Sequence, residues 1–231
     1  GVGLGRALAR RLAADGETVI LLGRTYSKVK ELADELGPPH FAVECDVSQS
    51  QSVSAAFSEI AQRHPKIDAL INNAAVYEPF FVANATDDQI LGSVMTNLAG
   101  PIFTCRAAIP MMERGAAIIN VSSESVGVEF PLLSLYQSTK AGMERFSQSL
   151  SRELEPNGIR VTVARAGPMF EAGKSAPPWD PEVAMQFYQL CKEAGIDMMK
   201  RPSSMVGSVT DVFRALLDLP AVVRLIPSSI S

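Results

Sequence analysis

A tyrosine and a lysine four residues apart carry the clearest chemical signal in this sequence. Tyr136 and Lys140 lie in the segment S-L-Y-Q-S-T-K-A-G-M, residues 134–143. On a helix this spacing puts both side chains on one face, one turn apart. A free tyrosine has a pKa of about 10, and a nearby ammonium stabilises the phenolate and lowers that pKa. The pair therefore predicts a residue that exchanges a proton with a substrate oxygen near neutral pH.

A Tyr-x-x-x-Lys pair alone is more often a solvated helix face, so further motifs are needed to support a catalytic role. The first of these is a glycine-rich turn. The segment G-V-G-L-G at residues 1–5 opens a helical pattern with Leu4, Leu8 and Leu12 on one face. Glycines allow close backbone approach, and a helix N-terminus offers free N–H groups to a phosphate. A short buried-strand pattern, E-T-V-I-L-L, follows at residues 17–22. This order is typical of the early part of a dinucleotide-binding unit.

Such a unit needs a strand before its glycines, and this sequence begins at the glycines themselves. We therefore expect the natural protein to have residues before Gly1 that form a first strand. That strand would lie in the centre of the sheet, between strands that come later in the chain.

Strand-like and helical patterns alternate along the rest of the chain. Predicted strands cover residues 40–45, 67–71, 116–121, 159–164 and 222–226. Predicted helices cover residues 27–36, 51–63, 87–113, 134–154, 181–194 and 211–217, the third with a kink near Gly100-Pro101. The alternation predicts an α/β fold with a Rossmann-like, doubly wound parallel sheet, in a single domain over residues 1–231.

The least regular stretch, about residues 167–208, is rich in proline and follows a predicted strand. Insertions at this place in α/β folds commonly cover a substrate. Large apolar residues of the stretch either line a pocket or, more often for any one of them, pack onto the body: Phe170, Trp179, Met185, Phe187 and Tyr188.

Composition excludes several classes of function. Lys and Arg total 21 against 25 acidic residues, which gives no reason to expect nucleic acid or an anionic membrane as partner. No apolar run reaches the length of a membrane span. Cys45, Cys105 and Cys191 lack paired spacing and are typical of reduced thiols in a cytoplasmic protein. His40 and His64 have no partners at metal-ligand spacing, so we expect no metal site.

Together the motifs resemble the short-chain dehydrogenase/reductase family over essentially the whole chain. They occur in the family's order and spacing: G-V-G-L-G at 1–5, D-V at 46–47, N-N-A-A at 72–75, Asn97, N-V-S-S at 120–123, Y-Q-S-T-K at 136–140 and A-G-P at 166–168. The resemblance implies an NAD(P)(H)-dependent oxidoreductase that interconverts a ketone or aldehyde and an alcohol by hydride transfer. It implies a small-molecule substrate as partner.

The resemblance assigns the proton chemistry to a tetrad. It implies that Tyr136 is the general acid/base and that Lys140 lowers its pKa and binds the nicotinamide ribose. Ser123 matches the hydroxyl that holds the substrate oxygen, and Asn97 matches the residue that keeps a relay water. Cofactor contacts are implied at Tyr136, Lys140 and these further positions: Gly3, Leu4, Gly5, Asp46, Val47, Asn73, Ala74, Ala75, Ala166, Gly167 and Met169.

The sequence departs from the family pattern at several positions. The first glycine of the phosphate turn is absent, Ala75 stands where the family usually has glycine, and Ala166 replaces a common proline. Glu171 falls about where a threonine often contacts the nicotinamide carboxamide, which bears on the local nicotinamide geometry. None of these changes removes a member of the tetrad.

The end of the strand at residues 17–22 predicts the preferred cofactor. An NAD-preferring fold usually places a carboxylate here, and Gly23 has no side chain. Arg24 follows, and a guanidinium suits bidentate phosphate binding, with Lys28 adding charge. The sequence therefore favours NADP(H) over NAD(H), the alternative being that Arg24 is a solvated loop arginine.

The helices at 87–113 and 134–154 predict a homodimer or homotetramer. They carry apolar residues on more than one face, including Met111, Met112, Phe146 and Leu150, and in the resembled family these helices pair across subunits. Two other functions stay open: a non-catalytic dinucleotide sensor or scaffold on the same fold, and a sugar-nucleotide epimerase or dehydratase. The intact tetrad favours catalysis, and the epimerases usually carry a larger substrate domain for which 231 residues leave no room.

Overall fold

The computed structural model describes residues 3–170, 179–198, 200–220 and 228–230, in which helices alternate with strands. The strands are β1 (Ile20–Gly23), β2 (Phe41–Glu44), β3 (Ala69–Asn72), β4 (Ala117–Ser123), β5 (Arg160–Ala166), β6 (Met169–Phe170), β7 (Ser204–Met205) and β8 (Ser228–Ile230). The α-helices are α1 (Gly3–Ala14), α2 (Tyr26–Leu36), α3 (Ser50–Arg63), α4 (Asp87–Val94), α5 (Gly100–Ala108), α6 (Ser134–Leu154), α7 (Pro181–Glu193) and α8 (Val206–Asp218).

The described strands form parallel sheets, which confirms the predicted α/β fold. One sheet has the order β3-β4-β5-β8, another pairs β1 with β2, and a short third pairs β6 with β7. Residues 117–122 of β4 are buried without a break, as expected of a parallel strand covered on both faces, and only Asn120 and Ser122 among them are polar. The first strand expected before the glycines is not part of the sequence, and it stays a prediction.

One hydrophobic cluster joins the two larger sheets. It contains Val43 of β2, Leu70 of β3 and Ile118 of β4, and helices α3, α5 and α6 pack against them. Burial of such side chains is the main force that holds helices onto a sheet. The positions of α5 and α6 relative to the strand ends are therefore fixed by the core itself.

The helical region predicted at 87–113 is interrupted ahead of its proline. A π-helical turn, Met95–Ala99, separates α4 from α5, and the N–H of Gly100 donates to the carbonyl of Met95. Pro101 has no N–H to give to the carbonyl of Asn97, four residues earlier, so a regular α-helix cannot pass through this point. The predicted kink is thus a widened turn, and Asn97 lies within it; such turns are frequent at functional sites.

Two other regions differ from the expectations. Helix α8 begins at Val206 rather than residue 211, because Val206, Val209 and Phe213 are all buried at helical spacing. The strand predicted at 222–226 falls outside the described residues, while β8 pairs with β5 a few residues later.

The apolar residues offered as an oligomer surface belong largely to the core. Met112 and Leu150 are buried, and Met111 and Phe146 pack against the same hydrophobic cluster. That part of the argument for an oligomer is wrong, since the side chains stabilise the chain's own fold. Among the described helices, none has both the length and the apolar character needed to cross a bilayer.

Candidate active site

The carboxyl ends of the parallel strands bring most of the predicted site residues to one edge. Ser123 at the end of β4 lies opposite Ala166 at the end of β5, and Asn73 to Ala75 follow directly after β3. In open α/β sheets ligands bind at this edge. Ala74 and Ala75 are exposed there, Ala166 and Gly167 are half-buried, and Met169 in β6 is 37% exposed.

The start of α1 is shaped to receive a phosphate group. Gly3 has φ +63°, a left-handed conformation that favours glycine. A Cβ atom on Gly5 would lie 2.9 Å from Nδ2 of Asn73, so only glycine allows the two segments to approach this closely. Leu4 is buried in the core, which leaves its backbone as the only part that can face a ligand. Glycine backbone and the positive end of α1 fit a dinucleotide phosphate.

Asp46 and Val47 are held beside the π-helical turn. The Asp46 carboxylate accepts hydrogen bonds from the backbone N–H and the hydroxyl of Ser48, at 3.0 and 2.7 Å. The backbone N–H of Asp46 donates to the Ser52 hydroxyl at 2.9 Å. A Cβ on Gly100 would come within 3.2 Å of the Val47 side chain. The turn after β2 is therefore packed in place and gives a ligand a fixed surface.

The end of β1 has no space for an acidic side chain. A Cβ on Gly23 would lie 2.6 Å from Cγ1 of Val29, which is buried in α2. Arg24 comes next, is exposed, and makes no hydrogen bond or ion pair with any residue that the structure describes. The carboxylate that usually selects NAD thus cannot occur at residue 23 unless the buried Val29 side chain shifts.

The Ser123 side chain lies close enough to the Tyr136 hydroxyl to lower the pKa of that phenol. The Ser123 oxygen also accepts hydrogen bonds from the N–H and the hydroxyl of Ser125, at 3.2 and 2.9 Å. With both lone pairs of its oxygen occupied, the Ser123 hydroxyl still has its own proton to donate. This geometry places two hydroxyls where one substrate oxygen can contact both.

Lys140 is 3% exposed, and its Nζ donates to the backbone carbonyl of Val121 at 2.8 Å. Burial lowers the pKa of this ammonium to about 8. Its Nζ lies 5.9 Å from the centre of the Tyr136 ring, so the predicted pair does lie on one helix face.

The expected direction of the Tyr136 pKa is corrected by the structure. Burial raises the pKa of Tyr136, and the hydrogen bond from Ser123 only partly opposes this change. A phenolate in this position loses more hydration than Ser123 returns, and the Lys140 ammonium does not reverse the balance. In this arrangement Tyr136 is therefore held in its protonated, acidic form.

Asn97 is completely buried and joins the strand β3 exit to helix α6. Its Oδ1 accepts from the N–H of Val76 at 2.8 Å, and its Nδ2 donates to the Val76 carbonyl at 2.8 Å and to the Thr139 hydroxyl at 3.3 Å. The Thr139 hydroxyl donates to the carbonyl of Tyr136 at 2.7 Å. The side chain of Asn97 thus positions the segment around Tyr136, and its relay role stays a proposal.

Sequence reasoning missed Tyr77. Its ring packs edge-on against Tyr136, with 4.8 Å between ring centres. Trp179 lies 5.1 Å from the Tyr77 ring and donates its Nε1–H to the Tyr77 carbonyl at 3.2 Å. The only signal in the sequence is an aromatic residue just after the N-N-A-A motif, which by itself does not indicate a contact with Tyr136.

The stretch at 167–208 packs onto the site through some of its predicted residues. Phe187 is 1% exposed and Trp179 is half-buried, whereas Met185 and Tyr188 are 68% and 51% exposed. Arg201 pairs with Glu124, the residue after Ser123. Glu171 and the side chain of Phe170 lie outside the described residues. Among the residues that are described, no group of histidine, cysteine or acidic side chains is arranged to hold a metal ion.

Comparison with known proteins agrees with this geometry. A mouse (Mus musculus) protein named 3-oxoacyl-[acyl-carrier-protein] reductase is 33% identical over 167 residues, which is 71% of this chain and 70% of that protein. A zebrafish (Danio rerio) protein named carbonyl reductase family member 4 is 33% identical over 168 residues, again 71% of this chain and 70% of the relative.

Solved structures share the fold. A short-chain dehydrogenase from Streptomyces avermitilis has a TM-score of 0.82 at 24% identity, covering 99% of this chain and 84% of the other. An alcohol dehydrogenase from Thermococcus sibiricus, complexed with 5-hydroxy-NADP, has a TM-score of 0.80 at 22% identity and covers 99% of this chain and 91% of the other. The sequence model of the short chain dehydrogenase family matches residues 1–173. With these motifs in this geometry, the chain belongs to the short-chain dehydrogenase/reductase family and is an oxidoreductase of that family.

Proposed function

We propose that the protein interconverts a ketone or aldehyde and an alcohol, with Tyr136 as general acid/base and a nicotinamide dinucleotide as cofactor. The observation that carries this proposal is that the Tyr136 hydroxyl lies beside the Ser123 side chain, with the buried Lys140 ammonium 5.9 Å from the Tyr136 ring. The pair lies at the same sheet edge as the glycine turn of α1. A reacting carbonyl and a bound dinucleotide would therefore share one site.

Residues of the chain bind the substrate oxygen and exchange a proton with it. The cofactor, when bound, supplies or accepts the hydride, so the protein has only to position it and move one proton. During reduction the carbonyl oxygen gains negative charge, and the hydroxyls of Ser123 and Tyr136 donate hydrogen bonds to it, as in an oxyanion hole. Tyr136 then gives its proton to that oxygen, and in the oxidative direction it takes the proton back.

Tyr136→Phe is expected to reduce turnover by at least about 10²–10⁴, because only the phenol hydroxyl carries the proton. Dinucleotide affinity should change little, since the ring remains. The measurement is reduced-nicotinamide absorbance with a panel of carbonyl compounds that includes a 3-oxoacyl thioester. Tyr188→Phe, at an exposed position on α7, is the matched control. Turnover near the wild-type rate in Tyr136→Phe would refute the assignment, and a wild type that binds dinucleotide but turns over nothing would indicate a sensor.

The second role that we propose is that Lys140 binds the nicotinamide ribose. Its ammonium is buried and has a single protein acceptor among the described residues, the carbonyl of Val121. The remaining N–H groups are available to ribose hydroxyls. Burial of a charged group costs free energy, so the Lys140 ammonium is destabilised in the free protein. Hydrogen bonds to a bound ribose would offset this cost.

This cost makes the free energy of unfolding depend on pH. Lys140 has a pKa of about 8 in the folded chain against an ordinary 10.5, so between these values the unfolded chain binds more protons. The free energy of unfolding should therefore rise with pH across this window, by up to about 3 kcal/mol, relative to Lys140→Met. Urea unfolding of both proteins at the two ends of the window measures the difference. Lys30→Met is the control, because Lys30 is exposed and paired with Asp34. A difference that stays constant or falls contradicts the prediction.

For the cofactor, we propose NADP(H) rather than NAD(H). The exposed guanidinium of Arg24 beside a residue 23 that excludes a carboxylate supports this choice. Several solved structures of the same fold are complexes with NADP or an NADP derivative, including the closed form of a serine dehydrogenase complexed with NADP⁺, at a TM-score of 0.82. A 2′-phosphate at this place would meet a cation and no opposing charge.

Arg24→Ala is expected to lower kcat/KM for NADPH about ten- to a hundredfold and to leave kcat/KM for NADH nearly unchanged. The reason is that a hydrogen bond to a charged group contributes about 1.5–3 kcal/mol. Lys30→Ala is the control, since it removes a cation of α2 that already has a partner. A wild type that prefers NADH overturns the cofactor proposal. Equal losses of kcat/KM with both cofactors in Arg24→Ala would refute the role of Arg24 but not the preference for NADP(H).

We also propose a homodimer or homotetramer in a reducing, cytoplasmic setting. Leu91 on α4 and Ile102 on α5 are 58% and 36% exposed, which supports a contact through these helices. The three cysteines are free and buried. Light scattering at micromolar concentration should give a mass above the monomer, and Leu91→Glu should lower it while Met185→Glu on α7 does not. A monomer in the wild type would contradict the proposal.

A further inference from the structure

A chain of aromatic rings runs from the core of α7 to Tyr136. Phe187, Trp179, Tyr77 and Tyr136 follow one another with ring centres 5.5, 5.1 and 4.8 Å apart. Each pair is tilted or edge-to-face, the geometry that aromatic pairs prefer. Phe187 is 1% exposed and anchors the chain in the protein interior. The ring at the other end carries the reacting hydroxyl of the proposed reaction.

Tyr77 is held from both sides. The Nε1–H of Trp179 donates to the Tyr77 carbonyl at 3.2 Å, and both polar backbone groups of the preceding residue, Val76, are bound by Asn97. Burial raises the pKa of the Tyr77 phenol, and the neighbouring Tyr136 adds to this rise. The backbone at Tyr77 is therefore fixed by these hydrogen bonds, and the ring, although 41% exposed, packs against Tyr136 and Trp179.

A cleft of about 650 Å³ lies beside Tyr77. It runs between the segment after β3 and the start of α7, and Tyr77 and Trp179 belong to its wall, whereas Tyr136 is not among its described lining residues. Most of the wall is apolar, with contributions from Phe80, Phe81 and Val183. Tyr77 thus both lines the cleft and contacts the Tyr136 ring.

We infer that Tyr77, positioned by Trp179, is a specificity-determining residue that closes the cleft off from Tyr136. The ring limits the size of the substituent that a carbonyl substrate can carry on this side. Without it, an uncharged apolar substituent would extend from the reacting carbonyl into the cleft. This inference rests on the proposed carbonyl chemistry at Tyr136. It concerns which carbonyl compounds react, whereas Ser123, Tyr136 and Lys140 concern how they react.

The test compares two methyl ketones that differ in bulk, methyl ethyl ketone and benzylacetone. In Tyr77→Ala the ratio of kcat/KM for benzylacetone to that for methyl ethyl ketone should rise about tenfold, because filling an apolar pocket is worth about 1–3 kcal/mol. Tyr77→Phe keeps the ring and should keep the wild-type ratio. Met185→Ala, on the exposed side of α7, is the matched control. An unchanged ratio in Tyr77→Ala, or an equal rise in Met185→Ala, overturns the inference.

Binding gives a second measurement that does not depend on turnover. Trp179 is the only tryptophan in the chain, so intrinsic fluorescence reports directly on this wall of the cleft. Benzylacetone should change the Trp179 emission with a lower Kd in Tyr77→Ala than in Tyr77→Phe, and equal Kd values overturn the inference. If the wild type reduces neither ketone, the proposed function fails for these substrates while the Kd comparison still decides the role of Tyr77. If Tyr77→Ala does not fold, Tyr77→Leu is measured in the same two ways.

Discussion

Tyr136 meets Ser123 because buried polar side chains lock helix α6 onto the sheet. Asn72 at the end of β3 donates to Asn120 of β4 at 2.8 Å, and Asn120 donates to Ser147 of α6 at 2.8 Å. The Thr104 hydroxyl of α5 donates to the Asn72 side chain at 2.7 Å. Each of these polar groups is buried, so breaking one link would leave an unsatisfied group at a cost of about 1–3 kcal/mol. The network therefore fixes which turn of α6 faces which strand.

An ion pair between the buried Glu144 and the partly exposed Arg165 strengthens the same attachment. Glu144 of α6 is paired bidentately with Arg165 of β5, at 2.8 and 2.7 Å, and accepts from the Ser122 hydroxyl of β4 at 2.6 Å. Removing one partner of a buried pair is far more harmful than replacing both, because a lone charge stays behind. Tyr136, Lys140 and Glu144 are four residues apart and share one helix face. A single face of α6 thus carries the proton-transfer residue, the buried cation and the anchor that sets their register.

Whether the sequence predicted a feature depends on how far apart in the chain the interacting residues lie. The bounds of α6 agree with the prediction, because its apolar and polar periodicity is a local property. The tetrad was identified through its resemblance to the family motifs, whose order and spacing are properties of the chain, and the roles of its members stay a proposal. Tyr77 was not, because its contact with Tyr136 spans 59 residues and depends on how the segment after β3 folds back. The surface assigned to Met112 and Leu150 failed for the same reason, since an apolar helix face does not reveal what covers it.

The difference between a local spacing and the burial that the fold creates also explains the pKa of Tyr136. A Tyr-x-x-x-Lys spacing predicts proximity, and a nearby ammonium gives a net decrease of the phenol pKa only where its attraction exceeds the cost of desolvating the phenolate. The fold buries both groups, which raises the pKa of Tyr136 and lowers that of Lys140. Both shifts oppose charge, so the free site favours a neutral phenol. A neutral phenol is the form that protonates a developing alkoxide, and the Ser123 hydroxyl can donate a hydrogen bond to the same oxygen. Abstracting a proton from an alcohol instead requires the phenolate, which this buried site disfavours until further positive charge or hydrogen-bond donors arrive with the ligands.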